Sequence, residues 1–271
     1  MNGYRCPTSP IRGSEKLNDL LGNDTTDAKD GAPASRLNEG ACGAGGGFGG
    51  TTAGSAGRAA YIATNFLKKG YGTNYATSWY LVRSHIKVTA GSAFNGTNGS
   101  VKGLGGTVGP LTRRRLENSR ISSNTIPFIG DAAAGDLDEA VLTTEIPGFV
   151  SSGSQLAESY NDGPSVVSGT KLAPVADGTS VAAVASALQD TRDWFAWHGT
   201  GSKKHANIAM ADGSVRAIPD LNGDGFLNPG HIPPSGATGA GFGYTSGTAE
   251  LDGVYSGGLL DTSILKKGSF E

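Results

Sequence analysis

Long apolar stretches, cysteine and charge are all scarce in this chain of 271 residues. No run of about 18 or more apolar residues occurs, and no apolar segment of the signal-peptide type follows Met1, so the sequence predicts neither a membrane span nor an export signal. Charged residues make up 17% of the chain and the formal net charge is −2, which gives no electrostatic argument for binding nucleic acid. The one basic run, residues 113–115 with Arg120, is interpreted as a solvated face.

The two cysteines, Cys6 and Cys42, belong to no C-x-x-C pattern and to no cluster of metal ligands. An intracellular protein could keep both as thiols. We expect instead a single disulfide between them, which would hold the glycine-rich N-terminal segment and would fit an oxidising compartment. Since no export signal is present, that location implies that an N-terminal export element was removed or left out.

Glycine, in contrast, is abundant. It accounts for 44 of the 271 residues, well above the usual share of about 7%. With many serine, threonine, asparagine and alanine residues, this composition predicts a β-rich extracellular or cell-surface protein with long loops. We divide the chain into a glycine-rich, loop-dominated segment at 1–56 and a β-rich head at 57–271, which together form a single domain. The run at 40–57 either stays flexible or becomes ordered against a neighbouring subunit.

Two segments have helical patterns. In 58–70, apolar residues recur at helical spacing, lysines occupy the last turn, and Gly70 stands where a helix ends. The segment that begins at Ser180 is typical of a helix capped by that serine.

Three segments have strand patterns. Residues 73–90 and 194–198 are rich in aromatic or β-branched side chains, which favours strands. Residues 206–218 are the clearest hairpin, with the pair Asp212-Gly213 at the turn.

The loop after this hairpin, "DLNGDGFLNPGH", carries oxygen-bearing side chains at alternate positions. This arrangement matches a calcium loop of the EF-hand type, because alternate residues in a tight turn direct their oxygens toward one centre, and a hard cation needs several oxygens. Gly225 occupies the sharp turn. The predicted ligands of a structural Ca²⁺ are Asp220, Asn222, Asp224, the backbone carbonyl of Phe226, and Asn228.

The acid that normally closes such a loop is missing. Its position holds His231, and three nearby prolines rule out the usual exit helix. We therefore expect an isolated loop whose remaining ligands come from elsewhere, for example from the acids at 131–139. The expected dissociation constant is roughly 10⁻⁴–10⁻³ M. The alternative is a loop of Asx turns without an ion.

Two short segments resemble parts of subtilisin-like proteases. "DGTSVAAVASAL" is similar to their nucleophile segment, with Ser180 as the serine, and "HGTG" at His198 is similar to their histidine segment. In that family the histidine precedes the serine, whereas here it follows, and no matching acidic segment lies upstream. We therefore expect no enzymatic activity and keep a secreted serine hydrolase using Ser180 and His198 as an alternative.

A second alternative is a secreted module that binds glycan or peptide. In this interpretation an exposed groove would be lined by aromatic side chains, namely Trp79, Tyr80, Trp194 and Trp197.

The C-terminal segment "HANIAMADGSVRAIPDLNGDGFLNPG", preceded by His198, resembles a family of bacterial prepilin-like, pseudopilin-related proteins of unknown function. Members of that family have a histidine-led segment, an ADGSVR hairpin and often an Asp/Asn-rich loop. The segments "YRCP" and "PFIGDAAAGD" also fit the pattern, so the resemblance extends over most of the chain, although only the C-terminal part is specific.

The resemblance implies an α+β fold of the pilin or pseudopilin head type, with an antiparallel β-sheet, one or two helices and long glycine-rich loops. In major pseudopilins a C-terminal calcium loop keeps the head in a polymerisable shape, which corresponds here to Asp220, Asn222, Asp224 and the residues after them. This chain departs from the family because it begins near its Cys-Pro segment, without the N-terminal prepilin helix. We therefore predict an extracellular structural protein that assembles with itself into a filament, tube or lattice.

Overall fold

The computed structural model describes residues 5–23, 50–88, 93–94, 101–103, 105–235 and 242–261. These residues contain five short α-helices, which are α1 (Lys16–Leu21), α2 (Ala56–Ile62), α3 (Trp79–Arg83), α4 (Arg113–Asn118) and α5 (Val181–Ser186). A π-helical turn (Ala63–Leu67) continues α2, and a 3₁₀ turn (Gly201–Lys203) precedes the C-terminal hairpin. The strands are β1 (Tyr75–Thr77), β2 (Pro127–Asp131), β3 (Gly163–Ser168), β4 (Lys171–Pro174), β5 (Leu188–Asp190), β6 (His205–Met210) and β7 (Val215–Pro219).

The chain forms two compact units. The first comprises Met1–Ala76 and Asp131–Ser159, and the second comprises Thr77–Gly130 and Tyr160–Glu271. The single domain predicted from the sequence, with a loop-dominated segment at 1–56 and a head at 57–271, stays a prediction. The division into these two units falls elsewhere in the chain, because residues 131–159 pack with the N-terminal part, which no local pattern indicates.

The core of the first unit is formed by α1, α2 and the 140–156 segment, through buried residues that include Leu17, Leu21, Ala59, Ile62, Leu142, Ile146 and Leu156. The helix predicted at 58–70 is confirmed. It begins at Ser55, whose side chain accepts the N–H of Arg58 at 3.1 Å, and Gly70 adopts a φ of 91° at its end. This φ is easily reached only by glycine, so Gly70 terminates the helix as predicted.

The strands form a four-stranded sheet in the order β1-β2-β6-β7 and a three-stranded sheet in the order β4-β3-β5. Strand β6 pairs antiparallel with both β2 and β7, and β3 pairs antiparallel with both β4 and β5. The fold class is therefore confirmed at the coarse level of a mixed α/β protein with antiparallel sheets. The helices are shorter and more numerous than the one or two that we predicted.

The strand predicted at 73–90 is wrong beyond β1. Ser78 adopts an extended conformation and its side chain accepts the N–H of Leu81 at 3.3 Å, so it caps α3. Aromatic and β-branched residues favour strands only as a statistical preference, and here the cap together with burial of Trp79 and Tyr80 overrides it.

The strand predicted at 194–198 is also absent as a regular element. This segment has only isolated bridges, at Trp194, at Phe195 opposite Phe226, and at His198 opposite His205. By contrast, the helix start predicted at Ser180 is confirmed, because its side chain accepts the N–H of Ala183 at 3.2 Å.

Two further expectations concern the predicted disulfide and a membrane-spanning helix. Cys6 is buried in the first unit, while Cys42 lies outside the described residues, so the predicted disulfide stays a prediction. In the described part of the chain, no helix has both the length and the apolar character needed to cross a membrane.

Candidate metal-binding loop

The hairpin of β6 and β7 positions the loop. Its strands pair from His205 opposite Pro219 to Ala209 opposite Val215. At the turn, the carboxylate of Asp212 accepts the backbone N–H of Ser214 at 2.9 Å, and Gly213 has a φ of 88°. The hairpin predicted around Asp212-Gly213 is therefore confirmed.

The Asp220 carboxylate organises the start of the loop. It is 3% exposed, and its two oxygens accept the N–H groups of Gly223 at 2.7 Å and Gly225 at 2.9 Å. Gly225 has a φ of 89°, and a Cβ there would lie 2.1 Å from the ring of Phe195. Only glycine fits this position, both for its backbone angle and for the space available.

The next two predicted ligands repeat this arrangement. Asn222 Oδ1 accepts the N–H of Asp224 at 2.9 Å, and Asp224 Oδ1 accepts the N–H of Phe226 at 2.9 Å. The other oxygen of Asp224 accepts the N–H and hydroxyl of Thr245 at 2.8 and 2.9 Å. These oxygens therefore turn the backbone of the loop and tie it to the segment at residue 245.

Glu250, which lies outside the loop in sequence, accepts three hydrogen bonds from the loop backbone. One of its oxygens accepts the N–H groups of Leu221 at 2.7 Å and Asn222 at 3.2 Å, and the other accepts the N–H of Asn228 at 2.9 Å. Its side chain is buried, and this burial raises its pKa, although the three donors act in the opposite direction; the charge of Asp224 raises it further. Sequence reasoning missed Glu250, since no spacing rule connects it with a loop that ends about twenty residues earlier.

The side chain of Asn228 connects the end of the loop to two segments through four hydrogen bonds. Its Oδ1 accepts the N–H groups of Gly230 and His231, both at 2.8 Å, and its Nδ2 donates to the carbonyls of His231 and Ser246, also at 2.8 Å. Both lone pairs of the amide oxygen are used in these bonds, so the side chain holds the loop closed in this conformation.

His231, at the position of the missing acid, is part of the core. Its ring stacks on Tyr244 with centroids 6.0 Å apart, and its Nε2 lies 3.3 Å from both Ser165 Oγ and the carbonyl of Gln189. Burial lowers its pKa, which favours the neutral ring.

The donor set of the loop fits a hard cation, because its ligand atoms are oxygens and two of the side chains are carboxylates. The fit is incomplete in the present conformation. Among the described residues, no group of three acidic, histidine or cysteine ligands within 4.8 Å of one another includes Asp220, Asp224 or Glu250. An ion would therefore need these carboxylates to turn partly away from the N–H groups that they now accept.

The acids at 131–139, which we considered as further ligands, belong to the first unit. There, Glu139 lies close to Glu15 and Glu158, with their ligand oxygens within 4.8 Å of one another. Glu15 also accepts the hydroxyl of Ser159 at 2.5 Å and pairs with Lys16 at 3.2 Å. This cluster is thus already engaged in hydrogen bonds and an ion pair of its own unit.

The residues of the hydrolase alternative have separate roles. The hydroxyl of Ser180 caps α5, and the ring of His198 stacks on His205 with centroids 5.4 Å apart. Within the described residues these two side chains share no hydrogen bond, which a nucleophile and its base would need.

Three of the four aromatic residues predicted to line a groove in the binding-module alternative are not exposed. Trp79, Tyr80 and Trp194 are each only 1% exposed, so they are core residues, whereas Trp197 is half-buried. The indole N–H of Trp79 donates to the carbonyl of Val101 at 2.6 Å, as a buried tryptophan requires.

Comparison of the chain with protein-family models, with curated proteins and with solved structures finds no match.

Proposed function

We propose that this protein is an extracellular structural subunit of the pseudopilin-like type, which associates with further copies of itself and uses the 220–228 loop as a Ca²⁺-stabilised clip. The pilin-like form of the head, the location and the ion are all parts of this proposal. The observation that carries it is the exposed apolar character of β7 at the edge of the four-stranded sheet.

Strand β7 has one sheet neighbour, β6, in the described structure. Its first residue, Val215, is 65% exposed, and Leu221 just after the strand is 62% exposed. An edge strand presents unpaired N–H and C=O groups, which can pair with a strand of another molecule. Exposed aliphatic side chains beside such an edge add apolar area that a second copy could bury.

The loop keeps this edge in one conformation. Asp220 follows β7 directly, and its carboxylate and that of Glu250 hold the loop backbone through hydrogen bonds. A rigid edge loses less conformational entropy when it associates than a mobile one does. A cation bound at the loop would also hold the loop in this conformation. In this proposal Ca²⁺ therefore has a structural role and no catalytic one.

Lysine in place of Val215 is expected to weaken self-association of the full chain at least about tenfold, because the substitution puts a charge at the edge of the sheet. Sedimentation velocity over a range of protein concentrations would measure the change, and negative-stain microscopy would show whether fibres or sheets of the wild type disappear.

The matched control is Val166→Lys. Val166 is 44% exposed and lies on β3 in the other sheet, so its variant should associate within about twofold of the wild type. Monomers at every concentration of the wild type would contradict self-assembly. Equal weakening by both substitutions would place the contact elsewhere.

Ca²⁺ at about 1 mM is expected to raise the melting temperature by roughly 1–6 °C relative to EDTA, given the weak affinity expected of such a loop. The effect should shrink in acid. Because the folded-state pKa of Glu250 is raised, the ion-free protein gains stability as the pH falls through the titration of this carboxyl, whereas Ca²⁺ favours the ionised form.

Asp224→Asn provides the control for this measurement, since it removes one predicted ligand charge but keeps an oxygen at the same place. The variant should melt at the same temperature in Ca²⁺ and in EDTA. An unchanged melting temperature of the wild type would show that hydrogen bonds alone maintain the loop.

A further inference from the structure

A cavity of about 580 Å³ lies in the second unit, and none of the residues that line it belongs to the 220–228 loop. Three segments form its wall: Ser84 and His85 after α3, residues 112–119 around α4, and the segment at 260–261. Its volume falls within the range of about 300–1,000 Å³ that small-molecule sites occupy.

Two arginines line this cavity. Arg114 and Arg115 contribute to the wall, whereas the preceding Arg113 does not and instead pairs with Glu117 at 2.7 Å. Arginine binds carboxylate, sulfate and phosphate groups through paired N–H donors. The basic run, which the sequence suggested to be only a solvated face, therefore divides into one paired residue and two that face a cavity.

Ser84 has a strained backbone at the cavity wall. Its φ is 55° and its ψ is −56°, and it is the only non-glycine residue with positive φ in the described structure. The N–H of His85 donates to the carbonyl of Arg83 at 2.6 Å, which defines a γ-turn of the rare, strained kind. Strain of this kind persists only where surrounding contacts hold it, and it is concentrated at functional sites.

The contacts that hold this turn are specific. Ser84 is buried, its hydroxyl donates to the carbonyl of Gly109 at 2.7 Å, and its N–H donates to the carbonyl of Tyr80 at 2.8 Å. The turn places His85 in the wall of the cavity, where its Nδ1 is buried and makes no hydrogen bond with the described residues. The imidazole of His85 is therefore a polar group of the wall whose hydrogen-bonding capacity at Nδ1 is unused among the described residues.

The charge balance of the wall favours an anion. Against the two arginines stands one carboxylate, Asp261, which leaves a net positive wall when His85 is neutral. Burial lowers the pKa of His85; Asp261 raises it, and Arg115 lowers it further. An anion in the cavity would oppose the first effect and favour the protonated ring as a third cationic donor.

We propose that this cavity binds a small molecule bearing a carboxylate, sulfate or phosphate group, with the oxyanion held by Arg114 and Arg115 and with His85 as a further hydrogen-bonding partner. This proposal is independent of self-association, which was assigned to the edge of a sheet elsewhere in the unit.

Isothermal titration calorimetry of the full chain at low salt would test it, with D-glucuronate, glucose 6-phosphate and inorganic phosphate as probes and neutral D-glucose as control. We expect at least one anion to bind with a dissociation constant of about 1 mM or below, and D-glucose to give no heat. Tighter binding of the sugar anions than of phosphate would identify a site for the whole molecule, and equal binding would identify a site for the oxyanion alone. Both results support the proposal.

Three variants sharpen the test. Arg114→Gln with Arg115→Gln should weaken anion binding at least about tenfold, Arg113→Gln should change it less than about twofold, and Asp261→Asn should strengthen it about threefold. In NMR spectra the imidazole resonances of His85 should move on titration with the bound anion. All four substituted positions lie at the surface or in the cavity wall, and circular dichroism would confirm folding.

Three results would overturn the proposal. They are no binding of any anion at about 10 mM, equal binding of D-glucose, or equal loss of affinity in the Arg113→Gln control and the double variant.

Discussion

Alanine in place of Arg58 is expected to lower the free energy of unfolding of the first unit by roughly 3–5 kcal/mol. Arg58 is fully buried, and its guanidinium donates to the carbonyl and hydroxyl of Thr51, both at 2.7 Å, and to the carbonyl of Leu20 at 3.1 Å. It therefore connects the end of α1 with the segment before α2. Truncation would leave buried carbonyl groups without donors and a cavity where the side chain was.

Hydrogen exchange read by mass spectrometry would localise this effect. Exchange in α2 should become faster, while peptides from the hairpin at 205–219 report on the second unit in the same experiment. Arg58→Lys should keep the charge but lose most of the stability, because an ammonium cannot reproduce the planar fork of donors.

The control for Arg58 is Lys69→Ala. Lys69 is exposed and makes one long hydrogen bond, at 3.5 Å to Asn65, so its removal should change stability by less than about 0.5 kcal/mol. If the free energy of unfolding of Arg58→Ala were within about 1 kcal/mol of the wild-type value, the buried guanidinium would not be the connection inferred from its contacts.

The second large effect is expected at Glu250. Alanine there removes the acceptor for the N–H groups of Leu221, Asn222 and Asn228, at a cost of roughly 3–4 kcal/mol. These amides should lose their protection in hydrogen-exchange NMR, and the melting temperature should fall. Since the loop follows β7 directly, the variant should also associate less well with itself if the proposed function is correct.

Asp252→Ala is the matched control, because this acid lies two residues further along and is exposed. It should leave the loop amides protected. Glu250→Gln should be intermediate, since its amide keeps one acceptor oxygen but turns an NH₂ group toward a backbone donor. Unchanged protection of Leu221 and Asn228 in Glu250→Ala would refute the role of this carboxylate as the clamp of the loop.

Sequence patterns predicted an element correctly where the residues that decide its structure lie within the same short segment. The hairpin followed from Asp212-Gly213 between two alternating segments, the helix at 58–70 from its apolar period and Gly70, and the start of α5 from Ser180. In each case the side chain or backbone that decides the structure lies within a few residues of what it acts on.

Sequence patterns gave wrong predictions where a single local contact outweighed the amino-acid composition of a segment. Residues 73–90 have the composition of a strand, yet the hydroxyl of Ser78 satisfies a backbone donor that a strand would have used in its ladder, and the chain turns into α3. Three of the four aromatic residues predicted to line an exposed groove, Trp79, Tyr80 and Trp194, are instead among the largest side chains of the core.

The sequence by itself determined the coarse fold class, the hairpin and the conformation of the Asp/Asn loop, because these depend on short-range hydrogen bonds and on glycines that alone tolerate positive φ. Only the tertiary structure decided that Glu250 closes this loop and that residues 131–159 pack with the N-terminal segment. It alone brought Arg114, Arg115 and His85 around one cavity. Such contacts join residues far apart in the chain, and their partners are selected by burial and packing of the whole unit, which no local spacing records.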